Sequence, residues 1–171
     1  MNALTFLSIR AAHVLMAALW MGATVFSSTL VLPVVDASGP AGAQLMTRLN
    51  RRGFEIYMSV IGTTTLVTGL YLLWRFTGGF DASVVATHAG VAFGIGGAAG
   101  ILAGVVGGAV VGRSAAKLSK LSSRTTIADD NVHRALLAEI ASLKRRIRVG
   151  SRVVIGLQTT ALVFMSVGHY V

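Results

Sequence analysis

Three histidines lie within or beside apolar stretches of the chain, namely His13, His88 and His169. Ionisable groups are costly in lipid, and those found there tend to have a function. Neutral imidazole is a common ligand of metal ions and of haem iron. The chain has no cysteine, which excludes disulfides, thiolate metal sites, iron–sulfur ligation and covalent haem attachment. The chemistry that these residues indicate is therefore ligation by imidazole.

The elements that must position the histidines are long apolar helices. Of the 171 residues, 54% are hydrophobic and only 12% are charged, too few charges for an ordinary soluble domain. About 20 apolar residues cross a bilayer as a helix, and lipid admits no open sheet. We predict an all-α integral membrane four-helix bundle forming a single domain, 1–171. The predicted spans cover about residues 6–35, 54–76, 82–112 and 150–171.

The basic residues predict the orientation of the spans. Thirteen of the fifteen Lys and Arg residues flank or occupy the first and third connections, and only Arg10 and Arg75 fall on the other side. The positive-inside rule then puts those two connections in the cytoplasm and both termini outside. We expect a multi-pass protein of a bacterial inner (cytoplasmic) membrane.

The connections differ in what they predict. Pro33, Gly39 and Pro40 predict a loop after helix 1. The short second connection predicts an antiparallel hairpin of helices 2 and 3. Segment 113–149 carries apolar residues at helical spacing, such as Leu136, Ile140 and Leu143, and predicts a helical cytoplasmic extension that runs into helix 4. Its narrow apolar stripe favours packing on an extension of helix 3 through Leu118 and Leu121 over lying on the membrane.

With these spans, two histidines fall at one depth. His13 is about eight residues into helix 1 and His88 about seven into helix 3, so each lies roughly 10 to 12 Å below the surface, with His169 at only about 3 Å. That geometry fits a bis-imidazole haem b. Arg10 and Arg75 at the rim could pair with propionates, although interfacial anchoring explains them equally well.

Copper is the second candidate cofactor, with His13, His88 and His169 as metal ligands beside thioethers such as Met16. The alternative is a protein without a cofactor.

Helical spacing predicts two inward faces. One comprises His13, Ala17, Trp20, Thr24 and Ser27, and the other Ser151, Gln158, Met165 and His169.

Helix 3 carries glycines at an unbroken spacing of four: Gly96, Gly100, Gly104, Gly108 and Gly112. Small residues at i, i+4 let a neighbouring helix approach closely in lipid. The ladder predicts a glycine zipper. Because helices diverge after about two turns, we expect part of it to meet a helix of this chain and the remainder to meet another membrane subunit or a second copy.

Other functions find little support in the chain. The net charge is +9, and the basic residues flank apolar spans without interleaved aromatic residues. This pattern indicates that their partners are anionic lipid headgroups and not nucleic acid. Glu55 and Asp81 fall on opposite sides, and no catalytic constellation is present, which favours a non-catalytic role. Four spans without a polar pathway argue against a transporter.

The string His13-Val-Leu-Met-Ala-Ala-Leu-Trp20-Met21-Gly22 resembles the first helix of small membrane proteins related to the copper-resistance protein CopD and to HemJ-type protoporphyrinogen oxidases. Arg51-Arg52, Thr65 and Gly69 are similar to the second helix of that group. The resemblance covers roughly residues 10 to 75. It implies a four-helix bundle in which His13 is a candidate haem or metal ligand.

Two functions are therefore expected. The first is a CopD- or HemJ-like membrane protein that binds haem b or a metal through its histidines and takes part in electron transfer. The alternative is a non-catalytic accessory or scaffold subunit of a larger respiratory or photosynthetic membrane complex, which docks through the glycine ladder and the helical extension.

Overall fold

The computed structural model describes residues 2–122, 130–168 and Tyr170, and these are almost entirely helical, with no strand among them. The helices are α1 (Ala3–Phe26), α2 (Leu32–Ala37), α3 (Gly39–Arg51), α4 (Phe54–Phe76), α5 (Ala82–Val85), α6 (His88–Val106), α7 (Arg113–Ser122) and α8 (Asp130–Val167). Short π-helical segments, Ser27–Val31 and Gly107–Gly112, join α1 to α2 and α6 to α7 without a break in the rod.

Four helical rods in the described part of the chain are long and apolar enough to cross a membrane: Ala3–Ala37, Phe54–Phe76, His88–Leu121 and Arg134–Val167. This confirms the predicted all-helical architecture with four membrane-spanning candidates. The rods pack as a ring in which α1 contacts α4, α4 contacts α6, α6 contacts α8, and α8 returns to α1. The core at the centre contains Trp20, Ile61, Ala103 and Val154.

The start of the third rod differs from the prediction. Residues 82–85 form the separate helix α5, and α6 begins only at His88. Each helix begins at its own N-cap: the side chain of Asp81 accepts the amide of Ser83 at the start of α5, and that of Thr87 accepts the amide of Gly90 at 3.0 Å at the start of α6. Hydrogen bonds from the hydroxyl and amide of Ser83 hold the pKa of Asp81 below its ordinary value.

The first connection is helical, so the predicted loop is wrong. Pro33 lies in the first turn of α2, and Pro40 lies in the first turn of α3. Proline is tolerated at the start of α3 because the first amides of a helix have no intrahelical partner, whereas Pro33 follows the junction between the π-helical segment and α2 within a continuous rod. The chain turns between these helices at Gly39, whose φ of +52° favours glycine.

The predicted helical extension between the third and fourth rods is present on both sides of residues 123–129, which lie outside the described part. Helix α7 continues the third rod and packs along the first half of α8, where Leu143 and Ile147 are buried. Lys117 and Glu139 form an ion pair between the two helices. Packing of the extension on the third rod, the arrangement favoured from sequence, is therefore observed.

One end of the bundle gathers charge and is called the basic end below. There Asp36, at the end of the first rod, lies 2.9 Å from Nζ of Lys144 and 3.1 Å from the guanidinium of Arg148 on α8. The first and third connections consequently share an end of the bundle, as the antiparallel order of the rods requires.

Candidate functional site

The imidazole of His13 is fixed against α4. Its Nδ1 lies 3.0 Å from the carbonyl oxygen of Thr65 and 3.1 Å from Oγ1 of Thr68. A carbonyl oxygen can only accept, so Nδ1 carries the proton and donates it. The hydroxyl of Thr68 donates to the carbonyl of Thr64 at 2.6 Å, which leaves its oxygen to accept from the imidazole. In the neutral ring, Nε2 therefore keeps its lone pair for another partner.

A glycine on α4 makes room for the ring. A Cβ added at Gly69 would lie 2.7 Å from Cε1 of His13, so a larger residue would push the imidazole away. One turn earlier, Thr65 is buried and its hydroxyl donates to the carbonyl of Ile61 at 2.7 Å. Sequence reasoning did not assign Thr65 and Thr68 as partners of His13. The signal available was a group of threonines followed by glycine inside an otherwise apolar span.

Contacts between the rods give the level of each residue along the bundle. Gly69 is beside His13. A Cβ built at Gly97 would lie 3.4 Å from Leu73, and one built at Gly104 would lie 2.6 Å from Leu66. Residue 69 of α4 is thus level with about residue 101 of α6. His88 is thirteen residues from that level, which corresponds to about 20 Å of helix rise.

The structure accordingly does not bring His13 and His88 together. His88 is the first residue of α6 and is exposed, whereas His13 is half-buried within α1. Their equal depth in the sequence prediction came from starting the third helix at residue 82. Axial ligands of one haem iron bind on its two faces only a few ångströms apart, so this pair cannot serve as a bis-imidazole set.

The two predicted arginines lie on the same side of the His13 layer, toward the end of the bundle opposite the basic end. Arg10 is one turn before His13 on α1 and borders a shallow apolar groove formed by Leu7, Val14 and Leu15. Arg75 is in the last turn of α4, six residues beyond Gly69, and is exposed. His169 lies outside the described residues.

The inward faces of α1 and α8 are confirmed at Trp20, Thr24, Ser151 and Gln158, all of which are buried. Gln158 is unusual because it is only 6% exposed and neither atom of its amide has a hydrogen-bond partner among the described residues. In lipid such an unpaired amide is costly.

Gln158 belongs to nearly the same layer as His13. A Cβ built at Gly96 would lie 2.9 Å from Met165, and one built at Gly107 would lie 3.9 Å from Val154. Residue 101 of α6 is therefore level with about residue 160 of α8. Gln158 is two residues from that level, a rise of about 3 Å. One layer of the bundle thus holds an oriented imidazole and an unpaired amide.

The donor set limits which groups fit. Within the described ranges there is no cluster of three or more His, Asp or Glu side chains that could hold a metal ion. Met16, the predicted thioether partner, packs against the apolar core cluster. Among the described residues, the layer therefore offers Nε2 of His13 as an imidazole donor.

The predicted glycine ladder divides in two. Gly96 approaches Met165 and the carbonyl of Ala161 on α8, and Gly104 approaches Leu66 on α4. At Gly100 and Gly108 no side chain or neighbouring backbone lies within 4 Å of an added Cβ. The ladder thus winds around α6, with some members against helices of this chain and others open.

Comparison with known proteins gives no match to any family model, curated protein or solved structure. The site presents an imidazole whose Nδ1 is hydrogen-bonded to α4, an amide with no partner among the described residues in nearly the same layer, and two arginines nearer the end of the bundle.

Proposed function

We propose that this chain is a multi-pass membrane protein of the CopD- and HemJ-like type that binds haem b, or failing that a metal ion, through His13. The observation that carries the proposal is the hydrogen bond from Nδ1 of His13 to the carbonyl of Thr65. Histidines that ligate metals characteristically donate their other ring nitrogen in this way, which fixes the tautomer and makes the ligating nitrogen more basic.

The other residues of the layer have compatible roles. Arg10 and Arg75 lie toward one end of the bundle from His13, and guanidinium groups match the carboxylates of haem propionates. Gln158 could donate or accept a hydrogen bond at the edge of a bound group. A haem held here would supply one-electron transfer, and the residues of this chain would orient it and keep water away.

The proposed setting is a bacterial inner membrane with the basic end in the cytoplasm and both termini outside. The first and third connections carry most of the Lys and Arg residues and meet at one end of the bundle through Asp36, Lys144 and Arg148. Shared placement of these basic segments is what the positive-inside rule requires of a four-span protein.

The absorption spectrum of the purified protein tests the proposal. We expect a Soret band, or a stoichiometric metal by elemental analysis, that is lost in His13→Ala. His88→Ala is the matched control and should keep it, because that residue is about 20 Å away along the bundle. Colourless, metal-free protein after supply of haem and copper during expression would overturn the proposal. Loss of the band in His88→Ala alone would overturn the assignment of His13.

A second candidate function is supported by the open members of the glycine ladder. Gly100 on α6 and Gly108 in the following π-helical segment have free space beside them among the described residues, where the backbone of a further helix could approach closely. An accessory or scaffold subunit of a larger membrane complex, or a homo-oligomer, would use that surface. Gly100→Leu with Gly108→Leu should then abolish co-purification of partner subunits or the oligomer, whereas Val105→Leu, an exposed change nearby, should not.

A further inference from the structure

The short helix α3 is amphipathic. Around its axis Ala41, Leu45 and Leu49 follow one another at a spacing of four, and Thr47 and Arg51 lie on the opposite side. The pattern is that of a helix with one apolar face and one polar face. Such a helix needs something to cover its apolar side.

The chain itself covers that face only in part. Gly42 of α3 packs directly on the backbone of Val35 in α2, and this close approach holds the two helices together. Leu45, on the same apolar face, is nevertheless 43% exposed. Beside it, exposed positions at helical spacing form a single stripe: Ala41, Leu45, Arg48 and Arg52. The uncovered stripe is thus half apolar and half basic.

The arginines of this region have no acidic partner within the described part of the chain. Asp36, the nearest acid before α3, pairs with Lys144 and Arg148. Glu55, the nearest acid after it, accepts the side-chain amide of Asn50 at 3.1 Å. Arg48, Arg51 and Arg52 therefore present uncompensated positive charge next to apolar side chains.

The position of α3 selects its partner. Its ends are joined to Ala37, the last residue of the first membrane-crossing rod, and to Phe54, the first residue of the second. A helix of 13 residues joined at both ends to the ends of such rods stays at that end of the bundle. The surface that it meets there is the headgroup layer.

We propose that α3 lies in the plane of the membrane at the basic end of the bundle and binds anionic phospholipid headgroups. Leu45 enters the boundary between headgroups and acyl chains, and Arg48 and Arg52 reach the phosphates beside it. Long basic side chains bordering an apolar face are suited to this, since their stems stay in the apolar layer while their charges reach the headgroups. The inference rests on the membrane location in the proposed function.

Site-directed spin labelling can test it, because a chain without cysteine accepts a single label at any chosen position. Spin labels would be attached in the variants Leu45→Cys, Thr47→Cys and Val14→Cys, in nanodiscs of phosphatidylcholine with or without phosphatidylglycerol. The collision rate of each label with oxygen and with a water-soluble nickel complex would then be measured. In the anionic discs we expect nickel collisions to be several-fold lower at Leu45 than at Thr47, with oxygen collisions showing the opposite order. Replacing Arg48 and Arg52 by Gln should remove the effect of phosphatidylglycerol at Leu45, whereas replacing Arg51, on the opposite side, should not.

The outcomes separate this inference from the membrane location itself. Val14 is 60% exposed in the middle of α1 and reports whether the rods cross the bilayer. If its label is accessible to nickel, the proposed location fails. If Val14 is shielded while Leu45 and Thr47 are equally accessible, the in-plane helix is overturned. If the Leu45 label is shielded equally in both kinds of disc, binding of anionic headgroups is overturned.

Discussion

The two halves of the bundle are held together by different means. In the α6–α8 half, 28% of the membrane-spanning stretch of each rod is buried, against 11% in the first rod and 17% in the second. Small residues make the close packing possible there, since Ala99 and Ala103 are buried and Gly96 and Gly150 receive side chains of the opposite helix. The α1–α4 half relies on fewer, more specific contacts, chiefly Trp20 over Gly62 and His13 on Thr65.

The difference assigns separate tasks to the two halves. Van der Waals packing between small residues is a main source of helix association in lipid, so α6 and α8 form the scaffold. The candidate ligand belongs to the more sparsely buried half. Functional elements are commonly drawn from the less stable parts of a fold, because they must admit a ligand.

The largest effect is expected from overpacking the scaffold. Gly96→Val would put a side chain 2.9 Å from Cγ of Met165 and 3.3 Å from the carbonyl oxygen of Ala161. We expect a loss of about 1–3 kcal/mol in the free energy of unfolding, measured by titrating detergent-solubilised protein with sodium dodecyl sulfate. Gly100→Val is the matched control, with no neighbouring atom within 4 Å of an added Cβ. Equal losses in both variants would contradict the close packing of α6 on α8.

The next effect should have the opposite sign. Gln158→Leu removes an unpaired, buried amide from the scaffold half, and relief of its desolvation should raise the free energy of unfolding by about 1–2 kcal/mol in protein free of any bound group. Thr159→Leu, on the exposed side of the same helix, should change stability little. If Gln158→Leu is instead destabilising, the amide has a partner such as a buried water, and α8 belongs to the site as well as to the scaffold.

A smaller loss is expected where the two halves are joined at the basic end. Asp36→Asn removes the ion pairs to Lys144 and Arg148, which are partly exposed to solvent. The free energy of unfolding should fall by less than about 1 kcal/mol, and the difference from wild type should shrink at high salt. Glu139→Gln, which removes only the pair with Lys117, should cost less still. A salt-independent loss would show that Asp36 acts by packing.

The smallest change is expected beside His13. Thr68→Val removes one acceptor from Nδ1 but leaves the carbonyl of Thr65. Hydrogen bonds between membrane helices average about 0.6 kcal/mol, and we expect a loss of that size in unfolding titrations. Thr63→Val, an exposed change on the same helix, is the control. Nitrogen NMR of His13 should still report the Nδ1–H tautomer, and the opposite tautomer would contradict the role of Thr65.

Hydropathy was sufficient to locate the rods and their inward faces. A run of about 20 apolar residues has few alternatives in lipid, and the helical period then places Trp20 with Thr24 and Ser151 with Gln158 on buried faces. The start of α6 was missed because residues 82–87 are as apolar as those that follow. The capping residues Asp81 and Thr87 carried the missing information.

The surroundings of His13 could not be predicted from hydropathy, because they depend on the register between α1 and α4. That register follows from tertiary packing: a Cβ at Gly62 would lie 3.3 Å from the Trp20 ring, and Gly69 leaves room for the imidazole. Apolar periodicity is the same for every register of two helices. The pairing of His13 with His88 failed for a related reason: the six-residue error in the start of α6 accounts for about 9 Å of their separation, and the register between the helices accounts for the rest.

The ion pairs of Asp36 also constrain how the protein can be made. The carboxylate leaves the ribosome 112 residues before Arg148. At translation rates of about 5 to 20 residues per second, it waits roughly 6 to 20 seconds for its partners. During that interval the first two rods have only each other, and the hydrogen bond between His13 and Thr65 is among the interhelical contacts they can already form. Insertion intermediates arrested before α8 should therefore contain an assembled α1–α4 hairpin, whereas the basic end can close only after Lys144 and Arg148 have been made.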